Sequence, residues 1–251
     1  MRNILSKILN ALRGRHRSIS YRFVFLTKER FKLLSSKLLG RSWIDYYAKY
    51  IDRSPREVLV ADPTYLTVGK EFLETLKEQG LKPEHYLLDF GCGILRGGLY
   101  FIPYLEKKRY TGVDISSTRL MQGAELMDEN DIHRGRYEVI RVKDCSLTEL
   151  EHRRFDYVWA HAVLPHMPED DIRQLLQQLK SHLHPNATIL FTYFASEMLG
   201  QDKAVVDQIR DYYYPTAHLE QLFKDEGYGF SLLPRGGYSE NWGVRARAGL
   251  I

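Results

Sequence analysis

Two acids and three glycines carry the most specific chemical signal in this chain. They read Asp89-Phe90-Gly91-Cys92-Gly93-x-x-x-Gly97, with Asp114 following 25 residues after Asp89. A Gly-x-Gly directly after a buried strand lets the backbone turn tightly and lets a ligand lie against the main chain. An acid that closes the next strand accepts both hydrogen bonds of a ribose diol. Either feature alone is common; the two in register point to a nucleoside-bearing ligand. The glycine spacing departs from the Gly-x-Gly-x-x-Gly of dinucleotide sites, which argues against a nicotinamide cofactor.

Such a pair works only if both strands end at one edge of a sheet. From residue 83 the pattern alternates in the required way. Strands are expected over Tyr86–Phe90, Tyr110–Asp114, Tyr137–Val142, Phe155–Ala160 and Ala187–Phe194, with Phe230–Leu233 and Trp242–Arg247 as a late hairpin. Between them, Ser116 or Ser117 is expected to cap a helix carrying Leu120, Ala124 and Met127. Pro168-Glu169-Asp170 opens a helix with Ile172, Leu175, Leu176, Leu179 and Leu183 on one face. Thr216 is expected to cap a helix with Leu219, Leu222 and Phe223, closed by Gly227. Strand and helix alternating in this order imply an α/β fold: a doubly wound, mostly parallel seven-stranded sheet with an antiparallel C-terminal hairpin.

Composition narrows the class further. No apolar run approaches the roughly 20 residues that cross a bilayer. The two cysteines, Cys92 and Cys145, cannot build a disulfide framework and fit a reducing, cytoplasmic setting. No clustered ligands at zinc spacing are present in the sequence. Residues 1–41 hold eleven Lys or Arg and one acid, Glu29, a balance of +10 that leaves −6 for the rest of a +4 chain. Ile4, Leu5, Ile8, Leu9 and Leu12 recur at helical spacing with Arg2, Lys7 and Arg13 away from them, and Phe31, Leu34 and Leu38 form a second amphipathic stretch. The expected organisation is therefore a basic helical arm over 1–41 and a domain over 42–251 with its core at 82–247. The arm is expected either to pack on the domain or to rest on an anionic membrane surface. Organelle targeting is a further reading of its acid-free, Arg- and Ser-rich start.

The ordered motifs resemble those of the class I S-adenosylmethionine-dependent methyltransferases. The likeness is carried by Leu87-Leu88-Asp89-Phe90-Gly91-Cys92-Gly93, Gly112-Val113-Asp114-Ile115-Ser116, Val142-Lys143-Asp144-Cys145, Phe155-Asp156-Tyr157-Val158-Trp159-Ala160 and Leu183-His184-Pro185-Asn186-Ala187-Thr188-Ile189-Leu190. Gly93-Ile94-Leu95-Arg96-Gly97-Gly98, continuing to Ile102-Pro103-Tyr104-Leu105, resembles a bacterial subgroup tied to surface glycans or small metabolites. The resemblance implies S-adenosyl-L-methionine as cofactor. Asp89 would then orient the glycine loop near the cofactor amine, and Gly91 and Gly93 would pass under its methionine part. Asp114 would hold the ribose hydroxyls, with Ile115 next to it. Asp144 would accept from the adenine amino group beside the Cys145 backbone, and Ala160 would lie near the methionine end.

Methyl transfer from a sulfonium is an in-line displacement that depends on alignment. An oxygen or nitrogen acceptor must also lose a proton, and His161 and His166, just past the fourth strand, are the candidate bases, with His166 preferred. Tyr193 and Arg96 are candidates for touching substrate, and Tyr212, Tyr213 and Tyr214 for an aromatic lid. Tyr46, Tyr47, Tyr50 and Tyr65 lie in an N-terminal segment that in this fold class often covers the cofactor. The expected acceptor is a small molecule or glycan. The competing classes are a noncatalytic binding module on the same fold and a nucleic-acid methyltransferase. Nucleic acid is not expected as a partner, because Ala160-His161-Ala162-Val163 stands where many base-methylating enzymes carry Asn/Asp-Pro-Pro-aromatic.

Overall fold

The computed structural model describes residues 43–53, 56, 63–207, 211–233 and 244–250. The chain divides into two compact units, 1–46 and 47–251. Of the first, only residues 43–46 are described; the expected helices over 1–41 and Trp242 lie outside the described residues. The second unit contains the sheet.

In chain order the elements are α1 (Trp43–Ile51), α2 (Pro63–Glu78), β1 (Leu87–Phe90), α3 (Gly98–Tyr104), β2 (Tyr110–Asp114), α4 (Ser117–Glu129), β3 (Tyr137–Arg141), β4 (Phe155–Ala160), α5 (Glu169–Leu179), β5 (Leu183–Ala195), β6 (Val205–Asp207), β7 (Asp211–Tyr214), α6 (Thr216–Asp225), β8 (Tyr228–Leu232) and β9 (Val244–Leu250). Strands β3-β2-β1-β4-β5 run parallel. β9 pairs antiparallel with β5 over Ile189–Tyr193, and β8 pairs antiparallel with β9. These seven strands form the expected sheet and its C-terminal hairpin. The last residues of the 13-residue β5 leave β9 and pair with β7, which in turn carries β6 antiparallel. That second hairpin was not expected: Tyr212–Tyr214 are a strand and not a lid loop.

The strand period of two separates two cores. Leu87, Tyr157, Trp159 and Leu190 face Phe72 and Leu76 of α2, Phe101 and Ile102 of α3, and Leu120, Leu126 and Met127 of α4. Their neighbours Val158, Ala160, Ile189 and Phe191 point the other way, onto Ile172, Leu175, Leu176 and Leu179 of α5 and Phe223 of α6. The sheet is thus covered on both faces, which its nearly continuous apolar strands require.

Local signals mostly act as expected. Ser116 caps α4, its hydroxyl accepting from the Arg119 amide at 3.0 Å. Gly227 ends α6 at φ +79°. Thr216 does not cap α6: its amide donates to Glu197 Oε1 at 2.7 Å, and its hydroxyl accepts from Tyr193. The Glu197 carboxylate, from the turn that follows β5, supplies an acceptor to the helix start in place of a capping hydroxyl. Leu183 begins β5 and does not extend α5, because a short 3-10 turn at Lys180–His182 ends the helical path and Leu183 pairs with Phe155.

Candidate cofactor and active site

The glycine turn is stitched to the neighbouring strand. The amides of Gly91 and Cys92 both donate to the carbonyl of Val113, at 2.8 and 3.0 Å. Gly91 and Gly93 take φ of +76° and +55°, the left-handed region that side chains disfavour. They differ in what surrounds them. A Cβ on Gly91 would strike Val163 at 2.4 Å, whereas a Cβ on Gly93 would meet nothing within 4 Å. Gly93 therefore presents bare main chain to open space, the property a backbone-hugging ligand needs.

Asp114 completes this corner. Its Oδ2 accepts from the Gly93 amide at 2.9 Å and its Oδ1 from the Ser116 amide at 2.8 Å. Each oxygen keeps a second lone pair for a ribose hydroxyl. Burial raises its pKa; the Ser116 and Gly93 amides and Arg119 pull the other way, and Asp52 adds a rise. The carboxylate tied to the turn is Asp114; Asp89 accepts from the Tyr110 hydroxyl at 2.7 Å. Asp89 is 4% exposed. Burial lifts it to about 7, against the Tyr110 hydrogen bond and the Arg96 charge, with Asp114 raising it further. A buried carboxyl poised there is suited to a cationic partner, which would favour its ionised form.

The remaining expected residues lie along the same sheet edge. Ile115, half-buried, follows Asp114, and its carbonyl accepts from Arg141. The Val142 amide bonds the Asp114 carbonyl at 3.0 Å, bringing the end of β3 to the end of β2. Asp144 beyond it is exposed, accepts from the Ser146 amide at 2.8 Å, and is held below the usual range by Ser146. Cys145 is buried, which pushes its thiol up to about 12. Ala160 ends β4, buried opposite Phe191.

The two histidines separate clearly. His161 is 8% exposed, with its ring against Phe72 at 4.3 Å and Trp159 at 5.9 Å and its Nδ1 3.4 Å from Arg96. Arg96 itself lies over the rings of Tyr65 and Phe72. His166 sits in the turn after β4, half-buried, with Nδ1 3.1 Å from Asp211 Oδ1 and its ring stacked on Tyr47 at 5.1 Å. Tyr193 is fully buried and donates to Thr216, so it packs the core and is not placed to touch a substrate. Tyr214 is buried and donates to the Met167 carbonyl at 2.8 Å, and Tyr213 stacks on Phe194.

A covering element emerges that motif reading alone did not specify. Tyr47 meets His166 beyond β4, while Asp52 accepts from Ser116 and the Ile51 carbonyl accepts from Arg119 beyond β2. Five helical residues advance about 7.5 Å. Strands β4 and β2, two sheet steps apart across β1, are separated by roughly 9.6 Å. The Tyr47–Asp52 stretch thus crosses above the end of β1, where the glycine turn lies. The only sequence signal was its cluster of tyrosines.

Residues 88–189 match the family described as methyltransferase domain. A curated relative, an uncharacterized protein of Rickettsia prowazekii (strain Madrid E), is 29% identical over 140 residues, covering 52% of this chain. The match spans 50% of that protein, so this chain accounts for about half the length of its curated relative. Among solved structures, magnesium protoporphyrin IX methyltransferase from Synechocystis PCC 6803 with bound SAM superimposes with a TM-score of 0.55 at 16% identity, over 73% of this chain and 78% of that one. The glycopeptide N-methyltransferase MtfA gives 0.58 at 18%, over 74% and 90%. A protein from Pyrococcus horikoshii OT3 gives 0.57 at 19%, over 78% and 98%. At these identities the structural likeness speaks to fold. The stretch 88–189 is thus similar to a methyltransferase domain, and the fold is one shared with solved S-adenosylmethionine-dependent methyltransferases.

Proposed function

We propose that this protein binds S-adenosylmethionine between the glycine turn and the Tyr47–Asp52 stretch and moves its methyl group to an oxygen or nitrogen of a small molecule or glycan. The observation that carries the reading is the corner made by Gly93 and Asp114: bare main chain facing open space, clipped to a carboxylate with acceptor capacity left over. Asp114 would hold the ribose hydroxyls, Gly91 and Gly93 would underlie the methionine part, and Asp89 would face its amine. Asp144, Cys145, Ile115 and Ala160 would line the adenine and methionine ends. When bound, S-adenosylmethionine supplies a sulfonium methyl, so the protein must align an acceptor, exclude water and take a proton.

His166 is the preferred base for that proton. It stands at the sheet edge where open α/β sheets bind ligands, and it keeps 24% of its side chain exposed. An acceptor lone pair forms the new bond to the methyl carbon, the C–S bonding pair stays on sulfur, and the acceptor proton passes to Nε2. The acceptors named for two neighbours, a magnesium porphyrin and a glycopeptide, support the acceptor class by analogy only. The basic arm, through residues 1–41, would bring the domain to an anionic membrane surface; its +10 balance supports this reading. Incubating the protein with methyl-labelled S-adenosylmethionine and a cell extract should label an organic or glycan fraction. His166→Ala should cut that labelling by roughly 10²–10⁴. Labelling confined to nucleic acid would overturn the acceptor assignment.

A further inference from the structure

Helix α4 begins with an arrangement that its apolar face does not explain. Leu120, Gly123, Leu126 and Met127 are buried as packing requires, yet Arg119 beside them is buried too, at 6% exposure. A guanidinium is taken out of water only where its N–H groups find partners. Arg119 Nη1 donates to Gln122 Oε1 at 3.2 Å, within α4. Its Nη2 donates to the carbonyl of Ile51 at 2.6 Å. Ile51 is the last residue of α1, and the last carbonyls of a helix have no partner inside it. A cation set there also complements the helix dipole.

Ser116 makes a second tie. Its hydroxyl caps α4 by accepting from the Arg119 amide at 3.0 Å, and it donates to the carboxylate of Asp52. Its own amide donates to Asp114 Oδ1 at 2.8 Å. One residue therefore joins the carboxylate after α1 to the carboxylate that closes β2. The Asp52 amide returns to the Ala48 carbonyl at 3.1 Å, so the tied end is continuous with α1. Arg56 follows, its Nη1 2.9 Å from Glu129 Oε1 at the far end of α4. Asp52 is exposed, so water replaces it on Ser116 when the stretch lifts. These ties hold the stretch down without making it permanent.

Resting on the reading of the Gly93–Asp114 corner as the cofactor site, we propose that Arg119 is a positioning residue of that site. With Ser116 it latches the Tyr47–Asp52 stretch over the corner, and the ribose end of the ligand leaves only when the latch opens. Arg119 acts through Ile51, and Ser116 through Asp52. The same guanidinium serves the corner electrostatically. Asp114 is faced by Asp52 from the stretch, by Arg119 from α4, and by Asp89 and Cys92 from β1 and the glycine turn. Of these four, Arg119 is the cation; it favours the ionised Asp114, and Asp52 opposes it. Removing Asp52 thus loosens the latch yet eases the ionisation of Asp114, whereas removing Arg119 harms both.

The test follows release of S-adenosylhomocysteine from the full chain by surface plasmon resonance. Arg119→Met keeps the aliphatic stem and loses the donors. Asp52→Ala changes an exposed side chain and leaves the cap of α4 in place. At about pH 8 release should quicken roughly tenfold in the first and about threefold in the second, the order set by lost charge-assisted hydrogen bonds. The pH profiles should part. Below about pH 6 Asp89 has already taken its proton, and the remaining fall in affinity follows Asp114. That fall should move to higher pH in Arg119→Met and to lower pH in Asp52→Ala. Arg119→Lys keeps the charge and should restore the wild-type profile. Release from folded Asp52→Ala as slow as from the wild type, or slower, overturns the proposal, even if Arg119→Met does not fold. Profiles that coincide overturn it as well. A wild type that binds no S-adenosylhomocysteine removes the reading of the corner itself, and the latch falls with it.

Discussion

Asp89 offers the sharpest physical prediction, because its cost and its use have one cause. Burial raises it from an ordinary 3.8 to about 7. The folded carboxyl thus keeps its proton to higher pH than the unfolded one. Its contribution to stability is complete below about pH 4 and is lost as pH rises through about 7. At 1.36 kcal/mol per pH unit, proton linkage between pH 5 and 8 removes roughly 2–3 kcal/mol from the wild type. Asp89→Asn has no charge to bury, and its side-chain oxygen still accepts from Tyr110. The variant should therefore gain on the wild type by that amount between pH 5 and 8, measured by urea unfolding at each pH. The same proton should appear in ligand binding. A cationic amine placed beside Asp89 displaces it, so near pH 7 calorimetry in buffers of different ionisation enthalpy should show about half a proton released. A stability gap between variant and wild type that stays flat, or narrows as pH rises, would refute the account of Asp89 as a buried, poised carboxyl.

Gly91→Ala and Gly93→Ala should separate fold from ligand. The first strains a positive φ and strikes Val163, so it should lower the thermal midpoint markedly. The second should cost only about 1–2 kcal/mol of backbone strain yet abolish S-adenosylhomocysteine binding; retained binding in Gly93→Ala would remove that turn from the site. Asp114→Ala deprives two amides of their acceptor. It should weaken S-adenosylhomocysteine at least tenfold, at about 1.5–3 kcal/mol per charge-assisted bond lost, and an unchanged affinity in a folded variant would contradict its role. The full chain should co-sediment with anionic vesicles at low salt and release as salt rises, whereas a chain beginning at Ser42 should stay in solution. Equal behaviour of the two, with a lower melting temperature for the short one, would make the arm a packing element.

The sheet was readable because its strands are short apolar runs with sharp ends. β2 and β4 run over Tyr110–Asp114 and Phe155–Ala160 as expected, each opening directly after an arginine, Arg109 and Arg154. The pairing of Asp114 with the glycine turn was legible as spacing, although the hydrogen bond from Gly93 needed coordinates. Other features depend on contacts between distant residues. His166 and Asp211 are 45 positions apart, and nothing local in either residue announces the other. Tyr212–Tyr214 suggested a lid because three aromatics before Pro215 interrupt a long connection. The β-branched Val205-Val206 ahead of them was the overlooked sign of a hairpin. His161 and His166 looked alike as neighbours on one loop; burial among Phe72, Trp159 and Arg96 sets the first apart from the second.

The central claim is that the corner formed by Gly91, Gly93 and Asp114 is built for S-adenosylmethionine. Isothermal titration of the purified protein with S-adenosylmethionine, S-adenosylhomocysteine and NAD, each alone, tests it most directly. The account predicts saturable one-site binding of the first two and none of NAD. Binding of NAD, with no heat from S-adenosylmethionine or S-adenosylhomocysteine, would contradict it.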